Sequence, residues 1–193
     1  MSSPSEVSVH RGVTFGFYRR AHQWSAEQVM PELDRMVDLN VGWVCVVPTV
    51  MKDESNAPWQ YHDFEITPSD LELADTIDAI HARGMKAHLR PMIENYDGWG
   101  RLKIDFPPDG DHRIPGLAST KWRRWWQGMR ARTRHYARIA QRTGCEMYGL
   151  DSEIDRFVHM NAEWRDVLDV ARGEYAGPIT SCHTHNVDFI AEL

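Results

Sequence analysis

The sequence predicts an α/β fold in which parallel strands alternate with helices and form the first part of a (β/α)₈ barrel. Short apolar runs rich in β-branched residues alternate with stretches of helical periodicity, in the order β-α-β-α-β-α-β-α-β. The long segments follow the second, third and fourth strands, where a barrel builds its active face. No strand is followed by a Gly-rich phosphate-binding motif of the kind found in open doubly wound sheets.

The first unit consists of two predicted strands and the helix between them. Residues 13–18 form a short apolar run, and residues 41–51 are almost continuously apolar, as expected for a strand buried on both faces. Ser25 is the predicted helix start, because Gln28 three residues later completes a capping-box pattern. Pro31 predicts that this helix starts or bends nearby.

The second unit has a clear helix start and end. Thr67 is the predicted cap, Pro68 occupies the first helical position, and Gly84 is the predicted terminator. Residues 85–93 form the third strand, and a long loop over 94–118 follows it.

Two further units complete the readable pattern. A helix is predicted over 120–142, with tryptophans at helical spacing that we expect in the core. Residues 146–154 are the fourth strand, and residues 179–185, after one more helix, are the fifth. The organisation predicted is a polar tail over 1–10 and one catalytic barrel domain over 11–193.

The chain is shorter than the predicted fold requires. A complete barrel needs about 250 residues, so we expect only about the first five βα units within these 193 residues. Unpaired strand edges promote association, so a chain of this length alone is expected to be a fragment or a homo-oligomer.

The composition excludes some classes of binding partner and favours one location. A net charge of −6 argues against nucleic acid and against anionic membranes as partners. No apolar run is long enough to span a membrane, and the N-terminus has no signal-peptide pattern. The three cysteines are far apart and odd in number, which favours a reducing, cytoplasmic location.

The strongest chemical signal lies at the end of the fourth strand. Asp151 and Glu153 are two residues apart, so alternation along a strand predicts that they share a face. Glycoside hydrolysis needs a carboxylic acid that stays protonated, and the charge of Asp151 is a predicted means of keeping Glu153 so. The competing interpretation is an ion pair with Arg90 or Arg156.

Longer motifs elsewhere in the chain resemble those of a known family and support the prediction of glycoside hydrolysis. They occur in order along residues 13–186. They are Val41-Gly42-Trp43-Val44, Ile66-Thr67-Pro68-Ser69-Asp70, His81-Ala82-Arg83-Gly84-Met85-Lys86, His88-Leu89-Arg90-Pro91, Trp122 with Trp125-Trp126 and Tyr136-Ala137, Ser152-Glu153, and Trp164 with Arg172 and Tyr175-Ala176-Gly177. Together they resemble glycoside hydrolase family 113, which includes endo-β-1,4-mannanases.

The resemblance implies a retaining glycosidase of β-linked, mannan-like polysaccharide or oligosaccharide, with Glu153 as general acid/base and no cofactor. The family's nucleophile follows strand seven, beyond the readable units, and Glu192 is not assigned that role. Two positions depart from the family pattern: Asp151 replaces the usual glycine, and Arg90 stands where lysine is common.

Aromatic and polar residues of the loops after the strands are predicted to contact the sugar. Trp59 and Trp99 are loop aromatics suited to stacking on sugar rings, as are Tyr61 and Tyr96 beside them. The polar candidates, suited to hydrogen bonds with hydroxyls, are Arg90, Asn95, Asp151, His185 and Asn186.

Two alternatives remain open from the residues alone. The first is a metal-dependent barrel hydrolase or isomerase that uses His183 and His185, which share a strand face. The second is a non-catalytic barrel fragment that binds carbohydrate or self-assembles. The sugar, the linkage and endo versus exo action do not follow from the sequence.

Overall fold

The structure is a computed structural model that describes residues 10–106 and 121–184. Its strands are β1 (Gly12–Phe15), β2 (Trp43–Val46), β3 (Thr49–Lys52), β4 (Lys86–Leu89), β5 (Met92–Asn95), β6 (Met147–Gly149) and β7 (Ile179–Thr180). Its α-helices are α1 (Ala26–Asp38), α2 (Asp70–Ala82), α3 (Lys121–Thr143) and α4 (Asn161–Glu174). The predicted tail lies outside the described residues, apart from His10.

The strands form a parallel sheet that follows chain order. Its order is β1-β2-β4-β6-β7, and β3 pairs in parallel with β5 as a continuation of β2 and β4. Sequential parallel neighbours joined by helical crossovers are the arrangement of a barrel wall. The predicted α/β fold with parallel strands is confirmed.

The second and third strands are interrupted where proline occurs. The predicted strands over 41–51 and 85–93 each divide into two pieces, around Pro48 and Pro91. Proline has no N–H to donate to a ladder, so regular pairing stops there. The backbone pairing resumes at once, because Met92 N–H donates to Pro48 O at 2.9 Å.

The predicted start of α1 at Ser25 is confirmed without its predicted capping box, and the predicted start of α2 was wrong by two residues. Ser25 precedes α1, but its side chain makes no cap hydrogen bond, and Pro31 lies inside the helix. In α2 the cap is Ser69, two residues later than predicted: its hydroxyl accepts the Glu72 N–H, and the Glu72 carboxylate accepts the Ser69 N–H. Thr67 instead donates to Thr49 O at 2.6 Å, which ties the helix start to β3.

The helices cover one face of the sheet. Val44, Val46 and Leu89, on that face, are fully buried, whereas Trp43 and His88 on the opposite face are only half-buried. The opposite face is the one that lines the interior of a barrel. Among the described residues, no helix combines the length and apolar character needed to span a membrane.

An aromatic cluster fastens the loop after β6 to the helices. Phe157 contacts the rings of Trp125 and Trp126 edge-on at 5.5 Å and stacks on Trp164 at 6.2 Å. All four are buried, which confirms that the α3 tryptophans at 125 and 126 belong to the core. This packing fixes the loop that carries Glu153.

Candidate active site

Glu153 lies in a tight loop rather than on a strand. β6 ends at Gly149, and Glu153 adopts a left-handed backbone with φ of +60°. The prediction that Asp151 and Glu153 share a strand face was therefore wrong. A non-glycine residue in this conformation costs about 1–2 kcal/mol, and such strain concentrates at functional sites. Burial of the next residue, Ile154, and the Glu153 N–H bond to Cys182 O at 2.7 Å hold it.

The carboxylate of Glu153 is paired with Arg101. One terminal nitrogen of Arg101 bonds to Glu153 Oε2, and the other donates to Glu94 Oε2 at 2.8 Å. Burial lowers the pKa of Arg101, but attraction to Glu153 and Glu94 outweighs it, so the pKa stays above its usual value. Arg101 and Glu94 are almost fully buried, whereas the Glu153 side chain remains 29% exposed. One buried cation thus serves two carboxylates, and only Glu153 reaches solvent appreciably.

Glu94 is held on three sides. It lies in β5, whose four residues are all buried. Its Oε2 accepts from Arg101 and from the Tyr18 hydroxyl at 3.3 Å, and its Oε1 accepts the Asn95 N–H at 3.1 Å. These bonds keep the carboxylate in one orientation, as a buried anion requires.

Asn95 braces the loop that delivers Arg101. Its side-chain amide donates to Gly100 O at 2.8 Å, and Gly100 has φ of +69°, a conformation that glycine adopts without strain. Arg101 then begins a short 3-10 turn, Arg101–Lys103. Asn95 is itself buried, so the structure places this predicted sugar contact inside the loop.

Asp151 belongs to a separate network. Its Oδ1 accepts the Ser181 hydroxyl at 2.7 Å, and Ser181 Oγ also lies 2.7 Å from His183 Nε2. His183 Nδ1 is 3.1 Å from Asp155 Oδ1. Asp151 has no exposed surface, and burial raises the pKa of its carboxyl. This network joins the segment after β7 to the loop of Glu153.

The same network bears on the predicted metal ligands. Both ring nitrogens of His183 are within hydrogen-bond distance of Ser181 and Asp155, so metal coordination by His183 would have to break one of these contacts. Over residues 10–106 and 121–184, no three His, Cys, Asp or Glu side chains gather as a metal site. His185 and Asn186, predicted as sugar contacts, lie outside the described residues.

The two arginines considered as partners of the acidic pair have other positions. Arg156 pairs with Asp105 at 3.1 Å, at an exposed site. Arg90 is half-buried and its side chain crosses Gly149, where an added Cβ would lie 2.6 Å from Arg90 Cγ. Gly149 is thus required for Arg90 to lie across the end of β6.

Three of the predicted aromatic platforms, Trp59, Tyr96 and Trp99, are exposed, whereas Tyr61 is half-buried. Trp59 is 54% and Trp99 is 68% exposed, although the Arg124 guanidinium lies 4.9 Å from the Trp59 ring and covers one face of it. Phe17 and Tyr18, after β1, were not predicted. Both are exposed, and both adjoin the buried pair, through the Arg101–Phe17 contact at 5.5 Å and the Tyr18 bond to Glu94.

Sequence reasoning missed Glu94, Arg101 and Tyr18. Glu94 carried a usable signal, because it directly follows the predicted third strand, as a residue at an active face does. Arg101 carried none, because its position depends on how the preceding loop folds.

Comparison with known proteins identifies the relatives of this arrangement. The sequence model of glycoside hydrolase family 113 matches residues 13–190. The β-mannanase AaManA of this family from Alicyclobacillus acidocaldarius, solved in complex with ManMIm, is 28% identical, with a TM-score of 0.84 over 93% of this chain and 56% of that chain.

Two further solved structures agree with it. Both are β-1,4-mannanases of family 113 and 26% identical; one has a TM-score of 0.80 over 89% of this chain and 54% of its own, and the other 0.83 over 95% and 59%. The chain therefore spans little more than half the length of these mannanases. A search of curated proteins found no match. The predicted family and the barrel-type fold are confirmed.

Proposed function

The chain belongs to glycoside hydrolase family 113, and from this premise we propose that the protein is a retaining glycosidase of β-linked mannan with Glu153 as general acid/base. The observation that carries the proposal is the position of Glu153. It is a partly exposed carboxylate in the loop that follows the carboxyl end of a barrel strand, in a strained conformation that its neighbours enforce.

The proposed reaction has two steps. First, Glu153 protonates the departing glycosidic oxygen while a second carboxylate attacks the anomeric carbon and forms a covalent glycosyl-enzyme. Second, Glu153, now ionised, takes a proton from water, and that water releases the sugar. Glu153 suits both steps because its side chain reaches solvent while its backbone is fixed by the Cys182 carbonyl.

We place the nucleophile outside the described residues. A retaining pair of carboxyl groups is separated by about 5–5.5 Å of space that the sugar occupies. Glu94 is the carboxylate that shares a partner with Glu153, but the Arg101 guanidinium lies between the two, and Glu94 is buried under three hydrogen bonds. We therefore assign Glu94 no nucleophilic role.

The mannan substrate is proposed from two considerations. The solved relatives are described as β-mannanases and β-1,4-mannanases. In this chain the exposed rings of Phe17, Tyr18 and Trp99 belong to the loops that carry or contact Glu94 and Arg101, and aromatic faces stack well on sugar rings. Trp59 is a weaker candidate, because Arg124 covers one of its faces.

We also propose that residues 11–193 form part of one catalytic domain and that the protein works in the cytoplasm. The described strands belong to sequential units of one barrel wall, which supports the first statement. All three cysteines are free, as is usual in a reducing compartment, which supports the second.

The experiment uses the full-length natural protein, β-1,4-mannan and two aryl β-mannosides that differ in leaving-group acidity. Glu153→Gln should lower turnover of mannan by at least about 100-fold, because general acid catalysis contributes about 10²–10⁴-fold. The loss in kcat/KM, which reports the first step, should be much smaller for the aryl mannoside whose leaving group needs no proton, whereas kcat should still fall because Glu153 also serves as the base of the second step.

Glu163→Gln is the matched control, because Glu163 lies in the first turn of α4 and not in the loop that carries Glu153. It should hydrolyse mannan and both aryl mannosides at the wild-type rate. Near wild-type hydrolysis of mannan by Glu153→Gln would remove Glu153 from the mechanism. No hydrolysis of any β-mannoside by the wild-type protein would remove the proposed function itself.

A further inference from the structure

The buried contact between Glu94 and Arg101 bears on how Glu153 can hold a proton. A general acid must carry its proton before the first step, yet an adjacent guanidinium favours the ionised carboxylate. Arg101 contacts Glu153 directly, because one of its terminal nitrogens donates to Glu153 Oε2. Taken alone, this pair would oppose the role proposed for Glu153.

We propose that Glu94 is a positioning residue that engages the charge of Arg101 and so leaves Glu153 free to alternate between acid and base. The inference rests on the proposed function, and it deepens that function by naming how its acid/base residue is controlled.

Charge balance supports the proposal. When Glu153 is protonated, the Glu94 carboxylate and Arg101 form a neutral buried pair, and the three groups together carry no net charge. After Glu153 gives up its proton, the group carries one negative charge, which favours return of a proton from water. Without Glu94, the neutral state would instead be Arg101 with ionised Glu153, which is the wrong form for the first step.

The burial of each group fits this division of roles. The Arg101 and Glu94 side chains are 10% and 11% exposed, and separating two such buried charges is unfavourable. Glu94 also accepts hydrogen bonds from Tyr18 and from the Asn95 backbone, which hold its carboxylate in place. Glu153 is the more exposed partner, so it is the carboxylate of the two that can exchange its proton with substrate and solvent.

Other ionisable groups lie on the elements next to the loop of Glu153. Those on the neighbouring elements are Tyr18, Asp151, Asp155, Cys182 and His183. Arg156 is three residues away and pairs with exposed Asp105, so its removal changes the local charge by one unit at a solvent-screened position.

The test compares the pH dependence of kcat/KM on mannan for three variants of the full-length protein. In Glu94→Gln, Arg101 acts on Glu153 alone and favours its ionised form. The basic limb of the kcat/KM profile should therefore move to lower pH by about one unit. In Arg101→Met, the basic limb should move to higher pH by a similar amount. Arg156→Met should leave it within about 0.3 units of wild type.

Two further measurements keep the test decisive. Carbon-13 NMR titration of the glutamate carboxyls, with the Glu153 signal assigned by its loss in Glu153→Gln, should show the same opposite shifts without any need for activity. Arg101→Lys keeps the positive charge and should fold even if Arg101→Met does not. In this variant Glu153 should titrate near its wild-type pH.

The outcomes separate this inference from the proposed function. Opposite shifts of the Glu153 titration in Glu94→Gln and Arg101→Met support the inference, even if no mannan is hydrolysed. Unshifted profiles in an active enzyme, or shifts in the same direction in both variants, would overturn it. A merely structural role of Glu94 would lower activity or stability without moving the titration of Glu153 in opposite directions.

Discussion

Lys52 at the end of β3 should make the protein more stable as pH rises above 8. Lys52 has no exposed surface, and Nζ donates to Ser55 O at 3.2 Å. Burial lowers the pKa of its ammonium to about 8; attraction to Asp97 opposes this effect, and repulsion from Lys121 adds to it. An unfolded lysine titrates near about 10.4. Between these values the unfolded chain binds a proton that the folded protein lacks, so the free energy of unfolding increases with pH.

The magnitude follows from the pKa difference and from the surrounding rings. A difference of about 2.5 pH units corresponds to about 3 kcal/mol at pH values below 8. The ammonium also lies 4.9 Å from the Trp125 ring and 5.4 Å from the Phe106 ring, and such contacts return up to about 2 kcal/mol. Replacing Lys52 by Met should therefore raise the free energy of unfolding by about 1–3 kcal/mol at pH 7.

The assay is urea unfolding followed by tryptophan fluorescence at pH 7, 8, 9 and 9.5, for wild type and Lys52→Met. The gain in the variant should be largest at pH 7 and should shrink as the pH rises, because wild-type Lys52 loses its charge. Lys86→Met is the control, since Lys86 is exposed beside Trp43 and should show no such trend. A difference between wild type and Lys52→Met that stays constant from pH 7 to 9.5 would refute the reasoning.

Three other substitutions test the scaffold by urea unfolding. Gly149→Ala should lower the free energy of unfolding by about 2 kcal/mol, because its Cβ would lie 2.6 Å from Arg90 Cγ; an unchanged value would mean that Arg90 moves freely. Ser69→Ala should cost about 1 kcal/mol through loss of the α2 cap, and no loss would contradict the capping box with Glu72. Burial raises the pKa of Asp151, so its carboxyl destabilises the fold as pH rises above its unfolded value; Asp151→Asn should gain stability relative to wild type from pH 4 to pH 7, and parallel pH profiles would contradict this.

Much of the fold could be predicted because burial leaves a strong pattern in the sequence. Residues 41–51 are apolar on both faces because helices cover one side of the sheet and a barrel interior lies on the other. Gly84 and Gly144 end their helices with φ of +74° and +71°, which other residues adopt at a cost. These signals are local, so a single sequence suffices to detect them.

The helix starts and strand breaks were less predictable because several local signals compete. Thr67 and Ser69 are both good caps, and what decides between them is a contact with a distant strand, the Thr67 bond to Thr49 O. Pro48 and Pro91 lie in apolar runs that are otherwise typical of uninterrupted strands. Neither outcome follows from the residues' own preferences.

The candidate site was predicted in part. Glu153 was predicted from its place after the fourth strand and stays a prediction, but the assumption of strand alternation misplaced Asp151, because the chain leaves β6 at Gly149 and turns through a left-handed residue. The left-handed turn at a glutamate has no local sequence signal, since glutamate disfavours it. Tertiary packing imposes it, through buried Ile154 and Phe157 on either side of the short turn that follows.

The pairing of Glu94 with Arg101 shows why the rest of the site could not be predicted from single positions. Glu94 alone, at this depth, would be a buried unpaired ion and strongly unfavourable, and Arg101 alone would keep only the more exposed Glu153 as its partner. Glu94 is acceptable because Arg101 lies seven residues along the chain, at the far side of a loop closed by Asn95. Glu94→Gln should therefore destabilise the fold as well as shift the titration of Glu153, whereas the double variant Glu94→Gln/Arg101→Met should recover part of the lost stability. Such recovery would demonstrate that the two charges are held as a unit by the fold.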